Sequence, residues 1–342
     1  MNNVRFGLVG AGRAGAVHAR NIRAHTPDAE VVAVVDGVAE QAEALAAEVG
    51  GTAYGNLVDA LAAGSLDAVA IATPTHTHRD LAVEAFEAGL HVFCEKPMAL
   101  SAAECDEMIA AAERADRVLQ IGFVRRFQPE FAEAKARVEE GELGEVTMVK
   151  SLTRGPGLPP AWAHDLSLSN GMLAEVNSHC FDSVRWFAGA EVARVYAEVA
   201  NRKGADAGIT VEDFYDNAIV SLRFTNGVLG SLDGVCPAEY GYDARVEVIG
   251  TKGLIALGET QGMPILSCVD RASGGLRPTH KTWPERFSWG YVREINAFVD
   301  AVRGDAEPVV TGLDGKAAVE AVVAANRSWR EALPVELEGA VL

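Results

Sequence analysis

A chain of 342 residues that is 49% hydrophobic can bury a full core and is long enough for two domains. Its 48 acidic against 30 basic residues give a formal charge of −18, which argues against nucleic acid and anionic membrane, since both are bound through clustered Lys and Arg. Five cysteines, at 94, 105, 180, 236 and 268, are scattered and show no C-x-x-C spacing, a pattern of reduced thiols and not of a disulfide framework or zinc site.

Residues 4–9 form a short apolar strand, followed by Gly10-Ala11-Gly12-Arg13-Ala14-Gly15 and a helix over 16–24. Gly10 allows the tight turn, Gly12 lets backbone approach a pyrophosphate, and Gly15 lets the helix pack close to the strand. The helix N-terminus offers free N–H groups to phosphate. A second apolar strand, 31–35, ends on Asp36, 21 residues after Gly15, about where an acid binds the ribose hydroxyls of NAD. That carboxylate repels a 2′-phosphate, and Gly37-Val38-Ala39 bring no Arg to hold one, so NAD is expected over NADP.

The alternation continues with helices over 41–49 and 57–63 and a buried strand over 68–72. Thr73-Pro74-Thr75-His76-Thr77-His78 then forms a polar loop at a strand's carboxyl end, where cofactor contacts are expected; its histidines read either as such contacts or as a solvated turn or helix cap. A helix over 79–88 is capped by Gly89, and a strand over 90–93 delivers Cys94-Glu95-Lys96-Pro97. Proline keeps Lys96 extended, and the strand's last side chains point off the edge where open α/β sheets bind ligands. A further strand, 118–121, leads into Gly122-Phe123-Val124-Arg125-Arg126-Phe127. Its arginines are either an exposed basic pair or a grip for an anionic or polyhydroxylated ligand at the same edge. Short strands alternating with helices predict a doubly wound parallel sheet, a Rossmann domain over residues 1–123.

Residues 124–342 read as a second, α+β domain for substrate binding and oligomerisation. A helix over 131–139 precedes strand-like runs at 145–153, 191–200, 214–224, 227–235 and 244–250, with Asn226-Gly227 as a hairpin signal. These predict a large, open, mostly antiparallel sheet whose outer face serves as a subunit interface, because such a face is costly to leave exposed. The Pro- and Gly-rich loop 155–162, ending on Trp162, is expected to rim the site. A single helix is expected over 172–187, with Val176, Cys180, Val184 and Phe187 on one face and Glu175, His179, Asp182 and Trp186 on the other. The second stripe is either a solvated face or a carboxylate–imidazole pair for catalysis. No third ligand stands at metal spacing, so no metal is expected. No apolar run reaches 18 residues and the chain starts directly on a strand, so a cytoplasmic protein without a membrane span is expected.

Taken together, G-A-G-R-A-G, Asp36, T-P-T-H-T-H, C-E-K-P, I-G-F-V-R-R-F and the E-x-x-x-H-x-x-D stretch resemble the Gfo/Idh/MocA oxidoreductases, most of all the myo-inositol 2-dehydrogenase branch. The likeness extends through Tyr240-Gly241-Tyr242-Asp243 and Asp314-Gly315. It implies an NAD-dependent enzyme that oxidises a secondary hydroxyl of a cyclitol or sugar, in a homodimer or homotetramer. By position, the resemblance makes Lys96 the active-site lysine, His179 the general acid/base and Glu175 its acidic partner. Gly10, Ala11, Gly12, Arg13, Ala14, Gly15, Asp36, Thr73, Pro74, His78, Glu95 and Lys96 fall to the cofactor. Lys96, Arg126, Trp162, Glu175, His179 and Tyr240 fall to the substrate. The sequence departs from the inositol dehydrogenases at Glu175, where Asp is usual, at Asn177, where a small residue is frequent, and at Thr75, where Asn is common. Two other readings stand beside this one: an NADP-dependent reductase of a keto- or nucleotide-activated sugar, and a dinucleotide sensor that has lost the chemistry.

Overall fold

The computed structural model describes residues 3–64, 66–258 and 280–337. In chain order it contains β1 (Val4–Val9), α1 (Arg13–His25), β2 (Ala29–Val35), α2 (Ala39–Val49), β3 (Thr52–Tyr54), α3 (Leu57–Ala62), β4 (Ala68–Ile71), α4 (His78–Glu87), β5 (His91–Cys94), α5 (Ala102–Ala115) and β6 (Leu119–Ile121). There follow α6 (Pro129–Glu139), β7 (Val146–Arg154), α7 (Leu166–Ser169), α8 (Gly171–Glu175), α9 (Ser178–Ala188), β8 (Val192–Ala200), α10 (Lys203–Asp206), β9 (Asn217–Phe224), β10 (Leu229–Val235), β11 (Asp243–Gly250) and β12 (Leu254–Leu257). The chain closes with α11 (Trp283–Arg286), α12 (Ser288–Arg303), α13 (Gly312–Glu331) and β13 (Val335–Glu336). Among the described residues no helix is long and apolar enough to cross a membrane. Cys268 lies outside the described residues.

The chain folds as two compact units. The first holds the chain up to Gln128 together with Ser288–Lys316. Its sheet has the order β3-β2-β1-β4-β5-β6, with every pair parallel. β4 and β6 are buried along their whole length, as strands covered on both faces must be. Strand order reverses between β1 and β4, the switch point at which such sheets open a crevice. A division at residue 123 therefore differs from the observed units, because α12 returns to the first. Its Ile295, Phe298 and Val299 share one core with Phe6 and Leu8 of β1 and Phe93 of β5, so removing α12 would expose that apolar surface.

The second unit holds Pro129–Phe287 and the chain from Ala317 onward. Its seven strands run β12-β11-β7-β10-β9-β8-β13. All pairs are antiparallel except β7 with β10, so the sheet is mixed but mostly antiparallel. Gly227 turns the β9–β10 hairpin with φ +87°, a conformation that L side chains rarely adopt. β9 alternates buried and open positions, the mark of a sheet packed on one face only. α9 packs against β7, β10 and β11.

The helix expected over 172–187 is two helices, α8 and α9, with a break at Val176 and Asn177. The Val176 and Asn177 amides both donate to the Met172 carbonyl, and the Cys180 amide then starts a new turn on the Asn177 carbonyl at 2.8 Å. The side chain of Asn177 explains the break. It is fully buried, and its Nδ2 donates to the Asp233 carbonyl of β10 at 3.1 Å. A Cβ at Gly234 would collide with this amide, so the small residue on β10 is the other half of the contact. The solvated-face reading also fails, since Asp182 and His179 are buried. Trp186 lies under Lys135, whose Nζ donates to its carbonyl at 2.7 Å and stands 5.8 Å from its ring. Gly234→Ala should destabilise the protein by about 1–3 kcal/mol. In an Asn177→Ala background the same change should cost clearly less, which a double-mutant cycle of urea midpoints would read.

Candidate active site

The cofactor end is built by glycines and one acid. Gly10, with φ +99°, turns the chain out of β1, and a Cβ there would stand 2.7 Å from the Ala72 carbonyl oxygen. Gly15 lies so close to the Gly10 carbonyl that a Cβ would collide with it. Gly12 differs: nothing lies within 4 Å of where its Cβ would be. It is also the N-cap of α1, and no side chain caps that helix. The positive end of α1 is thus open to an anion beside bare backbone, which fits a dinucleotide's phosphates. Asp36, at the carboxyl end of β2, accepts from the Ala11 amide at 2.7 Å and from the Val38 amide at 2.8 Å. It fastens the glycine turn, and each carboxylate oxygen keeps a second lone pair for a hydroxyl.

Beyond the switch point, β4 runs into Thr73 and Pro74 and then a 3₁₀ turn, Thr75–Thr77. Thr73 and Thr77 share a hydroxyl contact of 2.7 Å, and the Thr77 hydroxyl donates to the Pro74 carbonyl at 2.8 Å. His78 opens α4 and is only 1% exposed. Its Nδ1 lies 2.9 Å from the Pro97 carbonyl and its Nε2 2.9 Å from the Thr73 carbonyl. Burial pushes the proton affinity of His78 down, against the pull of those carbonyls, so the neutral ring donates from one nitrogen at a time. It ties the loop after β4 to the loop after β5.

On the other side of Lys96, the buried Glu95 carboxylate accepts from His18 Nε2 at 2.7 Å and from the Lys96 amide at 3.1 Å. Burial alone would push Glu95 up. The His18 hydrogen bond and the nearby Lys96 charge outweigh that and hold it below the usual range. A Cβ at Gly122 would stand 3.3 Å from the Glu95 carboxyl carbon, so glycine there keeps room for the acid. The Lys96–Pro97 bond is cis. After β6, Arg125 is fully buried, and Arg126 donates to Asp314 at 3.0 Å, both groups within the first unit. The structure thus sets the glycine turn, Asp36, Thr73, Pro74, His78, Glu95 and Lys96 along one sheet edge.

In the second unit, Glu175 ends α8 and the buried His179 lies in the first turn of α9. The break between them means that their spacing is no longer that of one continuous helix. The His179 carbonyl accepts from the Ser183 hydroxyl at 2.7 Å. Tyr240 donates to Asp243 at 3.0 Å, and Asp243 also takes both Arg245 Nε, at 2.8 Å, and Nη2, at 2.7 Å. Arg154 reaches the Tyr240 hydroxyl at 3.5 Å while holding Asp233. Trp162 is half-buried in a 3₁₀ turn, Ala161–His164.

Sequence reasoning passed over His18 and Glu294, both fully buried polar residues of the first unit. The signal was available. His18 lies on the inward stripe of α1 with Gly15, Ala19 and Ile22, and Glu294 on that of α12 with Tyr291, Ile295 and Phe298. A charged residue at an apolar position marks a polar site inside the core.

Comparison with known proteins identifies the family. The family model described as "Oxidoreductase family, NAD-binding Rossmann fold" matches residues 4–123, and that of the "GFO/IDH/MocA C-terminal domain" matches residues 131–256. The chain is 34% identical to scyllo-inositol 2-dehydrogenase (NAD(+)) of Bacillus subtilis, covering 98% of this chain and 97% of that protein. It is 37% identical to inositol 2-dehydrogenase of Rhizobium meliloti, covering 96% and 97%. Among solved structures, scyllo-inositol dehydrogenase of Lactobacillus casei with bound NAD(H) and scyllo-inositol matches at a TM-score of 0.85 and 26% identity, covering 98% and 99%. The chain belongs to the GFO/IDH/MocA family and is an NAD-binding oxidoreductase.

Proposed function

We propose that the protein oxidises a secondary hydroxyl of a cyclitol or sugar to a ketone. The observation that carries this reading is Lys96 held at the carboxyl edge between two buried braces, Glu95 with His18 and His78 with Pro97. The glycine turn, Asp36, Thr73, Pro74 and Glu95 would hold NAD, which when bound supplies a hydride acceptor at nicotinamide C4. In this reading His78 serves the cofactor end by bracing backbone.

A secondary hydroxyl is a weak acid, so its proton must leave to a base as hydride departs, and an imidazole titrates in the right range. His179 takes that proton, and Lys96 donates a hydrogen bond to the same oxygen and stabilises its developing charge. Glu175 orients His179, and Arg126, Trp162 and Tyr240 shape the polyol site. The relatives' names support a cyclitol as substrate.

The second unit presents a face suited to a further copy of the chain. Cross-strand register sets Leu229, Met148, Ile249 and Leu254 in one row across β10, β7, β11 and β12. Leu229 and Leu254 are exposed, as is Ile219, at 65%, on the same face. An exposed apolar row of this kind supports a homodimer or homotetramer. Cys94, Cys105, Cys180 and Cys236 are buried and outside any disulfide, which supports a reducing, cytoplasmic setting.

Purified protein with NAD and myo-inositol, scyllo-inositol or glucose should form NADH at 340 nm. His179→Ala and Lys96→Met should each lower kcat by about 10²–10⁴-fold, with NADH affinity nearly unchanged by fluorescence titration. Silence on every free cyclitol and sugar, with NADH still bound, would favour a keto- or nucleotide-activated sugar, or a sensor. Asp36→Ser should weaken NADH binding and narrow the NAD-over-NADP preference by about tenfold or more, since it removes both a ribose acceptor and a repelling charge. Light scattering should show a dimer or tetramer, and the double change Ile219→Glu with Leu229→Glu should shift it towards monomer.

A further inference from the structure

Behind Lys96 lies a cluster of buried groups in which Glu294 has no part in the proposed chemistry. His18 and Glu294 are fully buried and Glu95 nearly so. One ligand-type atom from each lies within 4.8 Å of the others. Three different elements meet here: α1 brings His18, the end of β5 brings Glu95, and α12 brings Glu294. Gln120 of β6 fixes the last of these by donating to the Glu294 carbonyl at 2.8 Å. The His18 ring is held edge-on by Phe93, at 5.0 Å, and by Tyr291, at 5.6 Å. Among the described residues, neither carboxylate oxygen of Glu294 nor His18 Nδ1 has a hydrogen-bond partner.

One imidazole and two carboxylates are also a common metal donor set. The spacing speaks for a proton instead. His18 and Glu95 touch at 2.7 Å, the length of a hydrogen bond. Two donors on one tetrahedral zinc at about 2.0–2.1 Å would stand about 3.3 Å apart.

We propose that Glu294 is a positioning residue: with its carboxyl group within 4.8 Å of His18 and Glu95, it keeps the Glu95 carboxylate in place and with it the backbone that presents Lys96. The proposal rests on the reading of Lys96 as a site residue. Burial, and then the charge of Glu95, push Glu294 well above the usual carboxylate range, so it keeps its proton where an ordinary glutamate has lost it. The cluster then holds one carboxylate charge, not two. If Glu294 ionised, two buried carboxylates this close would repel, and Glu95 would lose its hold on the Lys96 amide.

The other ionisable groups packed around the cluster are few. Lys96 and Cys94 flank Glu95, His78 faces it from α4, Tyr291 shares α12, and Arg125 and Arg126 lie in the turn that packs on α12. Burial keeps the Cys94 thiol protonated and favours neutral His78. Glu294 is the carboxyl group left to titrate above the usual range.

The sign of the pH dependence follows. The folded chain binds the Glu294 proton more tightly than the unfolded chain does. Its contribution to stability is complete below the ordinary glutamate range and is lost as pH rises through the folded value, by up to about tenfold in the folding constant per pH unit.

The test uses the full chain with three sequences: wild type, Glu294→Gln and Glu294→Leu. Urea unfolding and NADH fluorescence titration are followed from pH 6 to pH 9. Wild type should lose stability and NADH affinity together as pH rises. Glu294→Gln, neutral at every pH, should flatten both profiles. Glu294→Leu should also be flat in stability but bind NADH about tenfold more weakly at all pH values, because Glu95 loses its polar neighbour. If Leu fails to fold, the wild-type and Gln profiles decide. Parallel profiles for wild type and Glu294→Gln would overturn the proposal, as would about one divalent metal per purified chain whose removal by EDTA reproduces the loss. Neither readout needs turnover, so a wrong substrate class and a wrong role for Glu294 give different results.

Discussion

The hydrogen bond between His18 and Glu95 is the contact on which the first unit's ligand edge depends. A carboxylate sunk at the end of β5 would ordinarily be driven neutral, and then it could not hold a backbone amide as an anion does. The imidazole at 2.7 Å reverses that balance. Because the Glu95 charge survives burial, the Lys96 amide has a fixed acceptor at 3.1 Å, and the loop is anchored before any ligand arrives. A surface salt bridge could not do this, since solvent and side-chain entropy take most of its value.

The second brace works on a different principle. His78, which burial favours as the neutral ring, stands between two backbone carbonyls from adjacent strand ends, Thr73 after β4 and Pro97 after β5, and donates to one of them at a time. One brace therefore acts through an ion and the other through geometry, and they grip opposite sides of the same residue. Gly122 and Gly10 are small for the sake of this edge: one leaves room for Glu95, the other for the backbone at Ala72. Such pre-arrangement is what the role proposed for Lys96 requires, because an error of ~1 Å in a reacting group can cost ~100-fold in rate.

Much of this was legible in the sequence, and the exceptions have physical causes. Strand and helix order in the first unit follows from short apolar runs separated by glycine and acid signals, so Gly10, Gly15 and Asp36 could be given their places directly. The return of α12 could not be read this way. Its apolar stripe shows only that it buries a face, and nothing local says that the face is completed by β1 and β5 across most of the chain. His78 had the right place and an ambiguous surrounding: a histidine in a polar loop looks like a contact, and only the tertiary fold shows both nitrogens taken up by carbonyls. Glu294 was hidden because an acid among charged helical residues looks solvated until the inward stripe is traced.

The break between α8 and α9 changes how the sequence's departures from the inositol dehydrogenases should be weighed. Glu175 and Asn177 seem independent when the segment is drawn as one helix. In the fold they flank the same kink, and the larger side chain at 177 is matched by Gly234 on the facing strand. The Asn177 Nδ2 donor is paired with the Asp233 carbonyl, while its buried Oδ1 has no partner among the described residues, so the departure is only half compensated. The extra methylene of Glu175 is then not a displacement along a fixed helix. It extends from the last residue of α8, whose direction is set by where Asn177 pins the chain to β10. The two departures thus stand on either side of one break in the chain, and Asn177 anchors that break on β10.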